Sequence, residues 1–205
     1  MALDVAAFAA RTPLLWHLTT RENYARIART RTLESAATLM RAAGDERWLR
    51  ERRRDPQRLS LGGETVWLRD QAPLAAGAIA LLGGWTFERL VEEINHRVYF
   101  WPGTRSGPIQ QAWENFHAFR GLPGTVTLRI PFEAVARACH PFQLQVTAVN
   151  VGAPRTSGGK KSPRGPHTFA SPGAFPGTPS DVREVAVRDV LPLDAIWSDI
   201  VVDGA

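Results

Sequence analysis

The chain has 205 residues, 44% hydrophobic and 22% charged, with 25 Lys+Arg against 20 Asp+Glu, so the formal net charge is 25 − 20 = +5. That is enough chain to bury one substantial core, and the composition excludes a disordered or fibrous protein. The single cysteine, Cys139, excludes an internal disulfide and a cysteine-based zinc cluster.

The basic side is almost all arginine, because the only lysines are Lys160 and Lys161. Arginine suits phosphates and carboxylates, so the balance permits an anionic partner without specifying one. Asp4 and the lack of a basic opening argue against a secretory leader, and the apolar tract at 72–82 falls short of the ~20 residues a membrane-spanning helix needs. The expectation is a cytoplasmic protein with no membrane partner.

Residues 4–11 read as a short helix stopped before Pro13, and LLWHL (14–18) as a strand. Thr20 then caps a helix over RENYARIART, and a second helix runs from about Ser35 to Gly44. Residues 45–58 are arginine-heavy and read as helical up to Pro56, with a solvated face. ETVWLRD has strand composition. Thr86 caps the amphipathic TFERLVEEIN, and RVYFW is a strand ending at Pro102. Residues 106–119 read as a helix with Pro108 in its first turn. TVTLRI and QLQVTAV are strands separated by a short helix over 131–138. DVREVAV and 196–202 supply the last strands.

Residues 151–181 stand apart. Twelve of these 31 residues are Gly or Pro, and Asp181 is the only acid. Such a segment is neither a helix nor a central strand. It reads either as a surface loop or as an ordered substrate loop carrying Arg155, Lys160, Lys161, Arg164 and His167. The overall pattern, helical first and then strand-rich, points to a single α+β domain over 1–205 with a split mixed/antiparallel sheet and flanking helices.

Phosphate-loop, dinucleotide-fingerprint, zinc-protease and hydrolase motifs are absent, and His17, His96, His117, His140 and His167 lack metal-ligand spacing. What remains is a set of polar groups on apolar strands. His17 and Thr19 share one face of a strand that enters a helix. Tyr99 sits among aromatics, either as core or as a platform for a planar ring. Glu184, the only glutamate after Glu133, lies between valines and needs a partner or a task if buried. Arg69 closes a strand beside Asp70, as a surface ion pair or a phosphate clamp.

His, Tyr and Glu in that order, each on its own strand, resemble the ADP-ribosyltransferase pattern. HLTTRENYARI resembles the opening motif of DarT-type enzymes, with His17, Thr19 and Asn23 at the matching positions. WLRDQAPL, NHRVYFWPG, VNVGAPR and REVAV followed by LPLDAI look like an uncharacterised bacterial family near them. The chain departs from the DarT pattern in having RTRTLESA where a Gly commonly follows the first helix, and in the long segment ahead of Glu184.

The resemblance implies an NAD-dependent transferase that needs no metal. His17, Thr19 and Asn23 would hold the adenosine side of NAD, and Tyr99 would stack on nicotinamide. Glu184 would bind the nicotinamide ribose and activate the acceptor, with Arg69 at a phosphate or the acceptor. The implied acceptor is a nucleic acid base, DNA or RNA, with Trp101 stacking it and Arg155 and Arg164 neutralising phosphates. A toxin or phage-defence role with a neutralising antitoxin would follow. Other readings are ADP-ribosylation of a protein or small molecule, an RNA 2′-phosphotransferase using Arg69, Arg155 and Arg164, and an inactive nucleotide-binding module.

Overall fold

The computed structural model describes residues 2–110 and 124–204. Asp4 accepts a hydrogen bond from the Ala7 N–H and caps α1 (Val5–Arg11). β1 (Leu14–Thr20) follows and passes straight into α2 (Arg21–Thr30), because the Thr20 hydroxyl takes the Asn23 N–H at 3.2 Å. Arg31 ends that helix in the left-handed region, at φ 53°. β2 (Thr32–Glu34) leads to Ser35, which caps α3 (Ala36–Ala43); Gly44, at φ 67°, closes it.

Residues 45–58 correct the sequence reading. Only turns and bends occupy 44–56, and then a hairpin forms from β3 (Gln57–Leu61) and β4 (Glu64–Leu68). Gly62 and Gly63, both at positive φ, make the two-residue turn. Leu59, Leu61, Val66 and Leu68 form the buried side of the hairpin and pack with Ala37, Met40 and Leu49. This period-2 burial outweighs the helical reading of the arginines. Nor is the segment a solvated face throughout, because Arg53 is only 4% exposed.

β5 (Ile79–Leu81) precedes α4 (Phe87–Asn95), capped by Thr86. β6 (Arg97–Thr104) continues past Pro102, two residues beyond the expected end. Pro108 belongs to a two-residue strand, β7 (Gly107–Pro108), not to a first helical turn, and residues 111–119 of the helix expected there lie, with His117, outside the described residues. β8 (Thr125–Pro131), α5 (Phe132–Ala138) and β9 (Leu144–Thr147) agree with expectation. The 151–181 segment contributes β10 (Ser162–Arg164) and two 3₁₀ turns. β11 (Glu184–Arg188), β12 (Val190–Pro192) and β13 (Val201–Asp203) complete the chain, with a 3₁₀ helix at Asp194–Asp199 where the start of a strand was expected.

The architecture is α+β. The main sheet has the order β13-β8-β1-β6-β11-β9, with β7 added on β6, and all its pairings are antiparallel. The parallel pairing that makes the molecule mixed lies elsewhere, between β5 and β10. One core cluster lies on the main sheet, where Leu15, Phe100, Leu128, Ile130 and Val185 meet Phe8 and Phe132. A second sits between α3 and the β3–β4 hairpin. A third joins α4 to the Gly/Pro-rich segment through Leu74, Leu90, Val91, Val151 and Phe169.

Candidate functional site

The sheet parts at its centre. β1 pairs with β8 over seven residues but with β6 over only three, ending at Trp16↔Trp101. Past that point the His17 ring takes the place of a ladder bond. Its Nδ1 lies 2.9 Å from the Tyr99 carbonyl oxygen, and since a carbonyl can only accept, Nδ1 carries the proton. Burial lowers the His17 pKa below its ordinary value, with the Tyr99 carbonyl opposing and Arg69 assisting. A neutral ring protonated at Nδ1 leaves Nε2 as an acceptor.

A cleft of about 450 Å³ opens at the parting. It takes His17, Thr19, Asn23, Arg69, Tyr99, Trp101 and Glu184 into one wall system. The three strands carrying His17, Tyr99 and Glu184 are consecutive neighbours, β1-β6-β11. Residues 82 and 85 positions apart in the chain are therefore brought together by antiparallel pairing.

Glu184 opens β11, opposite Thr147, and is 6% exposed. Its Oε2 accepts the Val151 N–H at 2.9 Å. Burial raises its pKa to about 7, against the opposing pull of that bond and of Arg164 and Arg69. The group therefore sits near half-ionisation at neutral pH, a poise suited to taking or giving a proton.

Tyr99 lines the cleft, but its ring also packs with the third core cluster, 6.4 Å from Phe169 between centroids. Its hydroxyl is buried and has no hydrogen-bond partner among the described residues. Burial raises its pKa well above the ordinary value. It is thus partly core and partly cleft wall.

Asn23 departs from expectation. Its Nδ2 donates to the Trp67 carbonyl at 2.8 Å, and its Oδ1 accepts the Trp67 N–H at 2.9 Å. The amide imitates a ladder pair and ties α2 to β4. It positions the strand that ends beside Arg69, so its first task is structural. Arg69 stands in the cleft with its guanidinium carbon 6.0 Å from the centre of the Trp101 ring. Burial pulls its pKa down to about 10, with Asp70 and Glu184 opposing by favouring the charged form.

Arg155 and Arg164 do not join the cleft wall. Arg155 is exposed on the 151–181 segment. Arg164 is 1% exposed, and its Nη atoms donate to the Ser162 hydroxyl, the Pro163 carbonyl and the Asn150 carbonyl. A side chain so enclosed braces the loop and cannot neutralise phosphates of a docked strand, which corrects its assignment as a surface contact. Of the three arginines wanted by the phosphotransferase reading, only Arg69 lines the cleft.

Among the polar residues that escaped sequence reasoning, Arg53, Gln71 and Asn95 form one bonded group in the wall. Arg53 donates to the Arg69 carbonyl at 2.9 Å and to Asn95 Oδ1 at 2.8 Å. Gln71 reaches the same Asn95 oxygen, and Asn95 Nδ2 donates to the Trp48 and Leu49 carbonyls. Nothing in ERRRDP distinguishes Arg53 from Arg52 and Arg54. The burial comes from an irregular stretch that the sequence reads as helix. Among the described residues no group of three His, Cys, Asp or Glu side chains is placed to hold a metal ion, and no helix is long and apolar enough to cross a membrane.

A family model described as a family of unknown function (DUF7002) matches residues 13–195. No curated protein and no solved structure matches.

Proposed function

The chain belongs to the DUF7002 family of unknown function, and we propose that it is an NAD-dependent ADP-ribosyltransferase acting on a nucleobase. The observation that carries this reading is the convergence of His17, Tyr99 and Glu184 from three adjacent strands on one cleft. The HLTTRENYARI resemblance supports it independently. The cleft suits a dinucleotide in size and in chemistry, with an acceptor nitrogen on His17 and the Tyr99 ring in its wall.

Bound NAD supplies a ribose–nicotinamide bond whose cleavage spreads positive charge over the ribose. Ionised Glu184, fixed by the Val151 N–H, stabilises that charge from a site largely closed to water. It also receives the acceptor's proton, for which a pKa of about 7 is suitable. His17 Nε2 accepts a hydrogen bond from a sugar hydroxyl, with the Thr19 hydroxyl on the same strand face. Arg69 and Trp101 offer a cation and an aromatic face side by side, which suits a flat base.

The test incubates the protein with labelled NAD and separate pools of DNA, RNA and protein. Label on nucleic acid, lost in Glu184→Gln, is the expected result. Label on protein alone overturns the acceptor. NAD turnover that survives Glu184→Gln overturns the site.

A further inference from the structure

Arg53, like Arg164, is a buried cation that no carboxylate among the described residues pairs with, but both terminal nitrogens of Arg164 are already bonded to neutral oxygens. Arg53 is 4% exposed, and among the described residues no acid forms an ion pair with it; Asp70 acts on it only at longer range. The contrast is Arg97, equally buried, which pairs with Glu93 at 2.8 Å. Burying an uncompensated charge is strongly unfavourable, so a guanidinium held this way normally has a partner that completes it.

The surroundings hold the side chain firmly while supplying only neutral acceptors. Nε donates to the Arg69 carbonyl and Nη1 to Asn95 Oδ1. Asn95 is itself fixed by two backbone carbonyls and by Gln71. Nη2 makes no hydrogen bond among the described residues, it is not fully sealed, and Arg53 lines the cleft. A rigid, partly satisfied guanidinium in a cleft wall is built to receive an oxyanion.

We propose that Arg53 is the anion-binding residue of the cleft and takes a phosphate oxygen of the bound ligand. In the transferase reading, on which the identity of the ligand rests, that oxygen belongs either to the diphosphate of the dinucleotide or to the backbone of the acceptor strand. The Arg69 backbone, bonded to Arg53 and adjacent to Asp70, couples this anchor to the end of the cleft where Arg69 itself stands.

Calorimetric titration of wild-type protein and Arg53→Gln with inorganic pyrophosphate, ADP-ribose, adenosine and a single-stranded oligonucleotide tests this. Affinity for pyrophosphate should fall about 10- to 100-fold in the variant, while adenosine binding stays unchanged. A parallel loss for ADP-ribose assigns the phosphate to the dinucleotide, and one for the oligonucleotide assigns it to the acceptor. Pyrophosphate bound with Arg53 dependence, but no binding of ADP-ribose or NAD, would retain the anion site and remove the transferase reading. Equal pyrophosphate affinity in both proteins, or none in the wild type, overturns the proposal. If Arg53→Gln does not fold, the Arg53 Nε–H resonance of wild-type protein, assigned with Arg53→Lys, gives the same answer. It should shift on pyrophosphate addition, and a stationary signal at saturation overturns the site.

Discussion

The Val151 N–H donates to Glu184 Oε2 at 2.9 Å, so the carboxylate at the head of β11 is anchored by the first residue of the Gly/Pro-rich segment. That bond favours the ionised form but is outweighed by burial, and the pKa stands at about 7 instead of the ordinary 4.5. A raised carboxyl pKa means that the folded protein holds a proton the unfolded chain releases. Stability from this group is therefore complete below about 4.5 and is lost as pH rises through about 7. The loss amounts to about 3 kcal/mol at 1.36 kcal/mol per unit. Chemical denaturation of wild type and Glu184→Gln across this range should show the variant gaining on the wild type up to pH 7 and holding level above. A constant difference would place the Glu184 pKa near its ordinary value.

NAD turnover, which in the proposed chemistry needs the ionised carboxylate, should rise with pH through a midpoint near 7. Steady-state rates across this range read that midpoint. A flat profile would remove Glu184 from the proton-transfer step.

Asn23 should behave as a clamp. Asn23→Ala removes both bonds to the Trp67 backbone and should cost about 1–3 kcal/mol, measured by urea denaturation. Asn23→Asp should also destabilise, because a carboxylate then faces the Trp67 carbonyl. A residue whose only role was to touch ligand would leave both midpoints unchanged.

Gly103 is fixed by close approach. It pairs with Pro108 across β6 and β7, and an added Cβ would lie within clashing distance of the Gly107 carbonyl and 2.6 Å from Pro108 Cα. Both neighbours are backbone, so Gly103→Ala must displace β7. The expected cost is about 1–3 kcal/mol, read as a lower melting temperature.

Asp189 sits at φ 59°, and its carboxylate contacts His96 Nδ1 at 2.5 Å. Its backbone also joins β11 to α3, through the Ser35 N–H at 2.7 Å. Asn tolerates the left-handed conformation and keeps an acceptor, whereas Ala does neither. Asp189→Ala should therefore unfold at lower urea than Asp189→Asn, by about 1 kcal/mol.

The elements legible in the sequence were those whose caps and periodicity agree. α2, α3 and α4 announced themselves through Thr20, Ser35 and Thr86, and β1, β6 and β11 through apolar runs. β4 was legible in ETVWLRD, but β3 and its pairing were missed because arginine-rich residues masked the alternation of Leu59 and Leu61, although Gly62-Gly63 marks the turn. His17, Tyr99 and Glu184 were visible as polar groups on apolar strands. Asn23 carried no sign of its second partner, since Trp67 lies 44 positions away and is reached only through the fold. Arg53 and Arg164 were unreadable for the same reason, because their burial is decided by long-range packing of loops.

The cleft draws one wall from each of the three core clusters: Leu33 and Val98 from the first, Val66 and Leu68 from the second, Leu74 and Ile94 from the third. It is therefore the seam of the molecule, the place where separately packed bodies face one another across open space. A guest that touches all three acts as a rivet, and its binding free energy adds to the cohesion of the whole fold. Thermal denaturation then becomes an unbiased assay for the natural ligand, because any compound that seats across the seam raises the melting temperature whatever chemistry follows.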